Sequence, residues 1–157
     1  MTSIEVHDDG TVFTCGNAPL ITQINGESER ITYNTEATIG QLSFMNSFKI
    51  LFAGVSDPQK SSGTVRGYRY PLNRGGQQQQ KMGKAQAPKY FEYMGHDRHG
   101  IVQMEVTNDD LHLITAGRDG CIIIYEIKDK EARGGLRRNE GYPNFSDEVL
   151  VTKEEIQ

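Results

Sequence analysis

Three side chains of the metal-ligand type lie close together in the second half of the chain. His96, Asp97 and His99 carry the imidazole and carboxylate groups that bind zinc in proteins. A zinc site needs about four ligands, and the neighbouring sequence offers no further ligand cluster. The favoured interpretation is therefore a loop between strands, with His96 in a structural hydrogen-bond network. We expect no metal and no other cofactor.

The chain has two cysteines, Cys15 and Cys121, and each falls within a predicted strand. Two cysteines are too few for a disulfide framework, which favours reduced thiols inside a cell. A reactive thiolate needs an electropositive and partly exposed setting. Cys121 instead begins an apolar run that ends at Tyr125. We therefore expect both thiols to pack inside strands.

Composition and motifs exclude several classes of function. Gly83 and Lys84 lack the Ser or Thr that completes a phosphate-binding loop, and no serine lies in a nucleophile-elbow motif. The formal net charge of −4 argues against a nucleic-acid partner, because phosphate binding needs clustered Lys and Arg. The apolar runs are far shorter than the roughly 20 residues of a membrane helix. The sequence predicts no enzymatic activity, no nucleic-acid partner and no membrane partner.

The elements that must position these residues follow an internal repeat. Each copy reads as a strand, a polar turn and a second strand that ends in a small residue followed by glycine. The copies occupy residues 4–16, 42–54 and 104–117. Their final glycines, Gly16, Gly54 and Gly117, are predicted to lie at equivalent corners of the fold.

Further strands complete each repeat. A third strand follows the corner, at residues 63–68 and again at 120–125, and a fourth strand is predicted at 30–33 and 89–94. Residues 72–88 include four consecutive glutamines and cannot form a core, so they indicate a surface insertion loop. Without the insertion, the period approaches the roughly 40–45 residues of a four-stranded propeller blade.

These patterns predict an all-β protein, a partial β-propeller of about three four-stranded antiparallel blades. The run 121–127 is almost continuously apolar and β-branched, as expected for a strand covered on both faces. Three blades do not close a ring, since propellers have typically 4–8. We therefore expect the remaining blades to come from the same gene product or from another chain. The predicted segments are blades at 1–33, 34–94 and 95–130, a linker at 131–146 and the start of a helix or coiled coil at 147–157.

The best repeat resembles the WD-repeat family. It has a Gly-His pair ending in His96, a strand, a small-residue strand containing Thr115, an Asp in the following turn and a third strand. In that family a His, a Ser or Thr, the turn Asp and a Trp form a hydrogen-bonded chain that locks each blade. The resemblance assigns this tetrad to His96, Thr115, Asp119 and Tyr125, where Tyr125 replaces the family's Trp. The first two repeats lack the Gly-His pair.

The tail extends the resemblance to a narrower group. Residues 146–156 follow the last repeat with an Asp-Glu-Val-Leu-Val-Thr sequence, and Thr152 with Glu155 is a capping box that predicts a helix start. This arrangement resembles the large cilia- and flagella-associated WD-repeat proteins, in which propellers precede a long coiled coil on axonemal doublet microtubules. The resemblance implies a structural scaffold of the cytoplasm and cytoskeleton, in the axoneme of a cilium or flagellum.

The implied partners are proteins, and the resemblance suggests the tubulin doublet, dynein and subunits of its regulatory complexes. Arg133, Arg137 and Arg138 form a basic cluster that could contact an acidic surface such as tubulin, although such a cluster is more often a solvated linker. The alternative function is a cytoplasmic WD-repeat adaptor or peptide-recognition subunit of another complex, because fold alone does not choose between them.

Overall fold

The computed structural model describes residues 2–27, 29–57, 62–72 and 87–128. These residues form strands and turns without any helix, so the all-β class is confirmed. The described residues up to Ile127 belong to one compact unit. The predicted linker, the helix start and the arginine cluster lie outside the described residues, as does most of the insertion loop.

The strands form three antiparallel sheets, and each sheet uses consecutive strands in chain order. The first contains β1 (Ser3–Val6), β2 (Val12–Cys15), β3 (Leu20–Asn25) and β4 (Glu29–Asn34). The second contains β5 (Ile39–Met45), β6 (Ile50–Val55), β7 (Thr64–Arg69) and β8 (Tyr90–Met94). The third contains β9 (Ile101–Val106), β10 (His112–Gly117) and β11 (Ile122–Glu126).

The sheets pack face to face in sequence order, with β5 in contact with both β1 and β9. This arrangement is that of consecutive propeller blades, in which the first strand of each blade lies nearest the axis. The third sheet has three strands in the described part of the chain, whereas the sequence predicted four. β7 and β8 pair directly, with Tyr68 opposite Tyr90, although the insertion separates them in sequence.

The hairpin turns form because short polar side chains bind the backbone locally. The Asp9 carboxylate accepts the Thr11 N–H at 2.8 Å, and the Asp109 carboxylate accepts the Leu111 N–H at 3.0 Å. Asp110 adopts φ +56° in the second of these turns, the left-handed conformation that Gly10 adopts in the first. Aspartate tolerates this conformation better than most residues, which explains why the turn forms here without a glycine.

Two apolar cores lie between the sheets. The first joins the first and second sheets through aromatic contacts, including Phe13 stacked on Phe44 with ring centroids 5.8 Å apart. The second joins the second and third sheets around Phe52, Met104 and Leu113. The second sheet is therefore covered on both faces, which explains why β6 is almost continuously buried. Leu72, which the sequence placed in the surface loop, is buried in the first core.

The run 121–127 was predicted to be covered on both faces, and the structure corrects this. Burial alternates along β11: Ile123 and Tyr125 point toward the second sheet, while Ile122 and Ile124 are 70% and 56% exposed. Cys121 is also exposed, in the turn before β11, and does not pack in a strand as expected. Cys15 is buried in the first core as predicted. The physical reason is that the described third sheet has a neighbour on one face only.

The predicted glycine corners need a second correction. In the strand pairing, Gly54 is equivalent to Ala116, and Val55 is equivalent to Gly117. The sequence alignment was therefore one residue out of register in the second repeat. Because successive side chains of a strand point to opposite faces, this slip exchanges the two sides of the sheet. Gly16 and Gly117 do occupy equivalent positions.

Replacing Phe13 with alanine tests the first core. Phe13 is fully buried against Phe44, so Phe13→Ala should lower the free energy of unfolding by about 3 to 5 kcal/mol. Phe48 offers a matched control, because it lies 43% exposed in the turn between β5 and β6. Phe48→Ala should change stability by less than about 0.5 kcal/mol. Chemical denaturation measures both, and equal losses would contradict the assigned core.

Candidate functional site

The predicted tetrad residues lie where the third sheet meets the second. His96 follows β8 and precedes β9, Thr115 lies in β10, and Asp119 lies in the turn between β10 and β11. The backbone N–H of His96 donates to the carbonyl of Gly63 at 3.0 Å, in the turn before β7. This bond fixes the His96 backbone to the preceding sheet while its side chain reaches into its own sheet.

Three of the four side chains form a continuous hydrogen-bonded chain. The Nε2 atom of His96 lies 2.8 Å from the Thr115 hydroxyl, and its Nδ1 atom lies 3.1 Å from the Asp119 carboxylate. A carboxylate only accepts, so Nδ1 carries the proton, and in the neutral ring Nε2 accepts from the hydroxyl. His96 and Thr115 are buried, so their polar atoms depend on one another for hydrogen bonds.

Asp119 anchors the chain because it accepts several hydrogen bonds at once. Besides His96, its carboxylate accepts the N–H groups of Cys121 at 3.0 Å and Asp97 at 3.1 Å. Burial alone would raise the pKa of Asp119, but these donors together hold that pKa below its ordinary value. Asp119 therefore stays ionised at neutral pH and ties the turn, the preceding loop and the sheet together.

Tyr125 lies beside this chain without joining it. Its hydroxyl is buried and has no hydrogen-bond partner among the described residues. Burial raises the pKa of Tyr125, and the nearby Thr115 hydroxyl opposes that rise only in part. The hydroxyl packs against Gly95, where any Cβ would collide with it. The glycine of the Gly-His pair therefore makes room for the tyrosine ring that replaces tryptophan.

The same chain explains the glycine at the end of β10. A Cβ at Gly117 would collide with the His96 ring and with the Asp119 carboxylate. The second sheet has no such pair at this corner, and its equivalent residue is the fully buried Val55. The glycine is thus required by the network and not by the corner itself.

The histidine loop does not gather a metal site. Both ring nitrogens of His96 are engaged with Thr115 and Asp119. His99 pairs with Asp97 at the exposed surface. Across the described ranges, no group of three or more His, Cys, Asp or Glu side chains is arranged to hold a metal ion.

A second polar network, centred on Arg66 in β7, escaped the sequence analysis. The strand pairing makes Ala53 equivalent to Thr115 and Arg66 equivalent to Ile123. Thr35 occupies the position of His96 in the second sheet. The N–H of Thr35 donates to the Pro19 carbonyl at 2.9 Å, just as the N–H of His96 donates to the Gly63 carbonyl, and in both cases the acceptor belongs to the preceding sheet. The second sheet therefore fills the same corner with different chemistry.

The side chain of Arg66 fills this corner by reaching from β7 toward the backbone of Thr35. Its Nη1 atom donates to the Thr35 carbonyl at 2.6 Å, although the side chain is only 5% exposed. The guanidinium lies 4.2 Å from the centre of the Tyr90 ring and pairs with Glu92 at 3.5 Å. Burial alone would lower the pKa of Arg66, but the neighbouring Tyr68, Glu92 and Tyr90 raise it. A charged residue in the middle of a predicted strand, next to Val65, was the available sequence signal.

Side-chain oxygens on the first strands of the first and second sheets accept hydrogen bonds from the backbone of the next sheet. Ser3 accepts the N–H of Leu42 at 3.1 Å, and Glu5 accepts the N–H of Phe44 at 2.9 Å. Between the second and third sheets, Ser43 accepts the N–H of Val106 at 2.9 Å. The same kind of hydrogen bond, from a backbone N–H of one sheet to a side-chain oxygen of the preceding sheet, is thus repeated at both interfaces. Burial raises the pKa of Glu5, and the Phe44 N–H opposes that rise.

Removing the Thr115 hydroxyl tests the network around His96. Thr115→Val keeps the shape but leaves a buried ring nitrogen unpaired, so the free energy of unfolding should fall by about 1 to 3 kcal/mol. Thr14, half-buried at the equivalent position of the first sheet, provides the control, and Thr14→Val should change stability by less than about 0.5 kcal/mol. Denaturant titration compares the two, and a neutral Thr115→Val would show that the contact contributes nothing.

A pair of glycine substitutions tests the explanation for Gly117. Gly117→Ala forces His96 and Asp119 apart and should cost about 1 to 3 kcal/mol, as overpacking does elsewhere. At Gly54 a Cβ would lie 3.4 Å from the Ile101 side chain, an ordinary contact, so Gly54→Ala should be tolerated. Thermal melting of both variants measures the difference, and a more stable Gly117→Ala protein would contradict the collision.

Comparisons with known proteins place the chain among named relatives. No protein-family model matches it. Cilia- and flagella-associated protein 57 C of Tetrahymena thermophila is 43% identical over 115 residues, which cover 73% of this chain and 8% of the relative. Cilia- and flagella-associated protein 57 of Mus musculus is 34% identical over 116 residues, covering 74% of this chain and 8% of the relative. The chain thus spans less than a tenth of the length of these relatives.

A solved structure supports the fold independently. The crystal structure of Kluyvelomyces marxianus Hsv2 superposes with a TM-score of 0.54 and 12% identity, over 97% of this chain and 46% of that one. Because the sequence identity is so low, this similarity supports only the fold, which is a β-propeller. The repeat, the packing of the sheets and the two relatives agree, and the chain belongs to the WD-repeat family of cilia- and flagella-associated proteins.

Proposed function

We propose that this chain is a structural and interaction scaffold of the axoneme in a cilium or flagellum. The observation that carries the proposal is the 43% identity, over most of the chain, to a cilia- and flagella-associated protein. Within the described residues no helix is long and apolar enough to cross a membrane. The partners of such a scaffold are other proteins.

The polar groups of the chain support a scaffold role and not catalysis. The imidazole of His96 is held on both sides by Thr115 and Asp119. The guanidinium of Arg66 is buried against Thr35 and Tyr90. In both networks the reactive groups bind neighbouring strands, so we infer that they lock the blades. We propose the same locking role for the family tetrad, with Tyr125 contributing packing in place of a hydrogen bond.

The finer proposal concerns what the scaffold organises. The implied role is to position dynein arms or their regulators on doublet microtubules, with blades at about 1–33, 34–94 and 95–130 preceding a coiled coil. Arg133, Arg137 and Arg138 would then face an acidic partner such as the tubulin surface, because clustered positive charge steers association with negative surfaces.

Localisation in ciliated cells tests this function. A fluorescently tagged chain should be enriched in cilia and should remain with axonemes after detergent extraction, since a scaffold binds the cytoskeleton. Tagged protein confined to the cytosol would contradict the axonemal role and favour the adaptor. Immunoblots of cell body, membrane-matrix and axonemal fractions measure the distribution.

Charge removal tests the arginine cluster separately. Replacing Arg133, Arg137 and Arg138 with alanine should reduce the axonemal fraction several-fold at unchanged stability. Three exposed arginines in the described part of the chain, one in a strand and two in turns, form the matched control with the same loss of charge: Arg69, Arg98 and Arg118. Equal effects of the two triple variants would show that net charge, and not this cluster, governs binding.

A further inference from the structure

The turn between β5 and β6 differs from the two turns that are equivalent to it in the first and third sheets. In all three turns the fourth residue has a positive φ and donates its N–H to the carbonyl of the first. These fourth residues are Gly10, Lys49 and Asp110. The third residue is aspartate in the outer two turns, where Asp9 and Asp109 each accept a backbone N–H. The middle turn has Phe48 at this position, so it presents an exposed ring in place of a local acceptor.

The Phe48 turn is tied to the turn of the third sheet. The Asp110 carboxylate accepts the N–H of Ser47 at 2.7 Å and also accepts the Ser47 hydroxyl. Leu111, which follows Asp110, is itself 45% exposed. These hydrogen bonds therefore bring the exposed aromatic turn next to a turn that carries a second exposed apolar side chain together with the carboxylates of Asp109 and Asp110.

Tyr70 ties the same turn to the first sheet. Its N–H donates to the Lys49 carbonyl at 2.7 Å, and its hydroxyl lies 3.4 Å from the Asp9 carboxylate. The Tyr70 ring packs edge-on against the buried Phe44, which fixes the position of both contacts. Phe48 is therefore flanked by the first-sheet turn on one side and by the third-sheet turn on the other, and both flanking turns lie within the described residues.

The three turns carry an excess of negative charge. Four aspartates lie in them against Lys49, and Arg69 at the end of β7 adds one further cation beside the middle turn. The aspartates are Asp8, Asp9, Asp109 and Asp110. Side-chain and backbone hydrogen bonds hold the pKa values of Asp9 and Asp109 below the ordinary value, so both stay ionised at neutral pH. A partner that covers the exposed ring therefore meets carboxylates on both sides of it.

We propose that this surface, formed by Phe48, Leu111 and the four aspartates, binds an arginine-rich segment of a partner protein. A guanidinium stacks on the exposed Phe48 ring while its N–H groups donate to the flanking carboxylates, which suits arginine better than lysine. An apolar side chain of the same segment packs on Leu111. The carboxylates repel the phosphates of a nucleic acid, so the charge of the surface selects a basic protein segment.

Fluorescence anisotropy with the full-length gene product that carries these residues tests the binding. A labelled peptide of alternating arginine and leucine should bind, and the matching lysine peptide should bind several-fold more weakly, because an ammonium group does not stack on a ring as a guanidinium does. A peptide of alternating glutamate and leucine should not bind. Absence of binding by the arginine peptide, or equal binding of the arginine and lysine peptides, would overturn the proposal. These outcomes are independent of where the protein lies in the cell.

Removal of the ring tests the stacking contact. Phe48→Ala should weaken binding of the arginine peptide about two- to five-fold, the effect expected for a cation over an exposed ring. Tyr93→Ala is the matched control, because Tyr93 is also a half-exposed ring but lies on β8, the outer strand of the second sheet. Circular dichroism checks that both variants fold. Unchanged binding by the Phe48→Ala protein would overturn the assignment of the surface.

Removal of charge tests the carboxylates. The double variant Asp8→Asn, Asp109→Asn removes two charges but keeps an amide oxygen that can accept the hydrogen bond of the turn. It should weaken binding several-fold at low ionic strength and less at high ionic strength, since salt screens exposed charges. The matched control is Glu36→Gln, Asp57→Asn, which removes two charges at the opposite end of the second sheet. Equal losses in the two double variants would show that net charge governs binding, which would overturn the proposal.

The arginines of the chain itself are the alternative occupant of this surface. If they covered it, replacing Arg133, Arg137 and Arg138 with alanine would free the surface and raise its affinity for the arginine peptide. With a separate partner protein as the occupant, the same triple variant should bind the peptide as the unchanged protein does. A several-fold rise in affinity would therefore overturn the proposal of a separate partner.

Discussion

The constraint on which the whole structure depends is the need of each sheet to bury its apolar faces against another sheet. A four-stranded sheet of this size has too little core of its own, and stability arises from contacts between neighbours. The second sheet meets this need on both faces, with Phe44 and Leu51 in the first core and Phe52 and Val65 in the second. The burial pattern of each strand follows from this packing, as does the position of each polar network at a boundary between sheets.

The corner where one sheet meets the next is held by two different chemistries. In the third sheet a histidine links a threonine to an ionised aspartate. In the second sheet a buried arginine reaches the backbone carbonyl of Thr35, the residue at the histidine position. Each solution constrains its surroundings, because the histidine network requires Gly117 while the arginine corner accepts Val55. The repeat therefore conserves a geometry and a set of backbone hydrogen bonds, whereas the side chains that support them change.

Much of the fold could be predicted from the sequence, because hydrophobic alternation, turn residues and the repeat period are local signals. The strands and the hairpin turns fall into this group, whereas the contacts of His96 with Thr115 and Asp119 were implied by the resemblance to the WD-repeat family. The register of the second repeat could not be predicted. Gly54 matches the corner glycine in the sequence pattern, although the second sheet has no histidine network that requires a glycine there. The role of Arg66 depends on Tyr90, which the insertion separates from it in sequence. The one-sided burial of β11 depends on which neighbours are present, and an apolar pattern does not reveal this.

The direct pairing of β7 with β8 has a consequence for how this blade can change over evolutionary time. The chain leaves and re-enters the sheet at adjacent strands, so lengthening the intervening loop adds only closure entropy, about 0.6 kcal/mol for each doubling of its length. Neither core is disturbed by such growth. Insertions of varied length and composition can therefore accumulate at this site under weak selection, and lineages can acquire new surface segments there while the blade beneath them keeps its architecture.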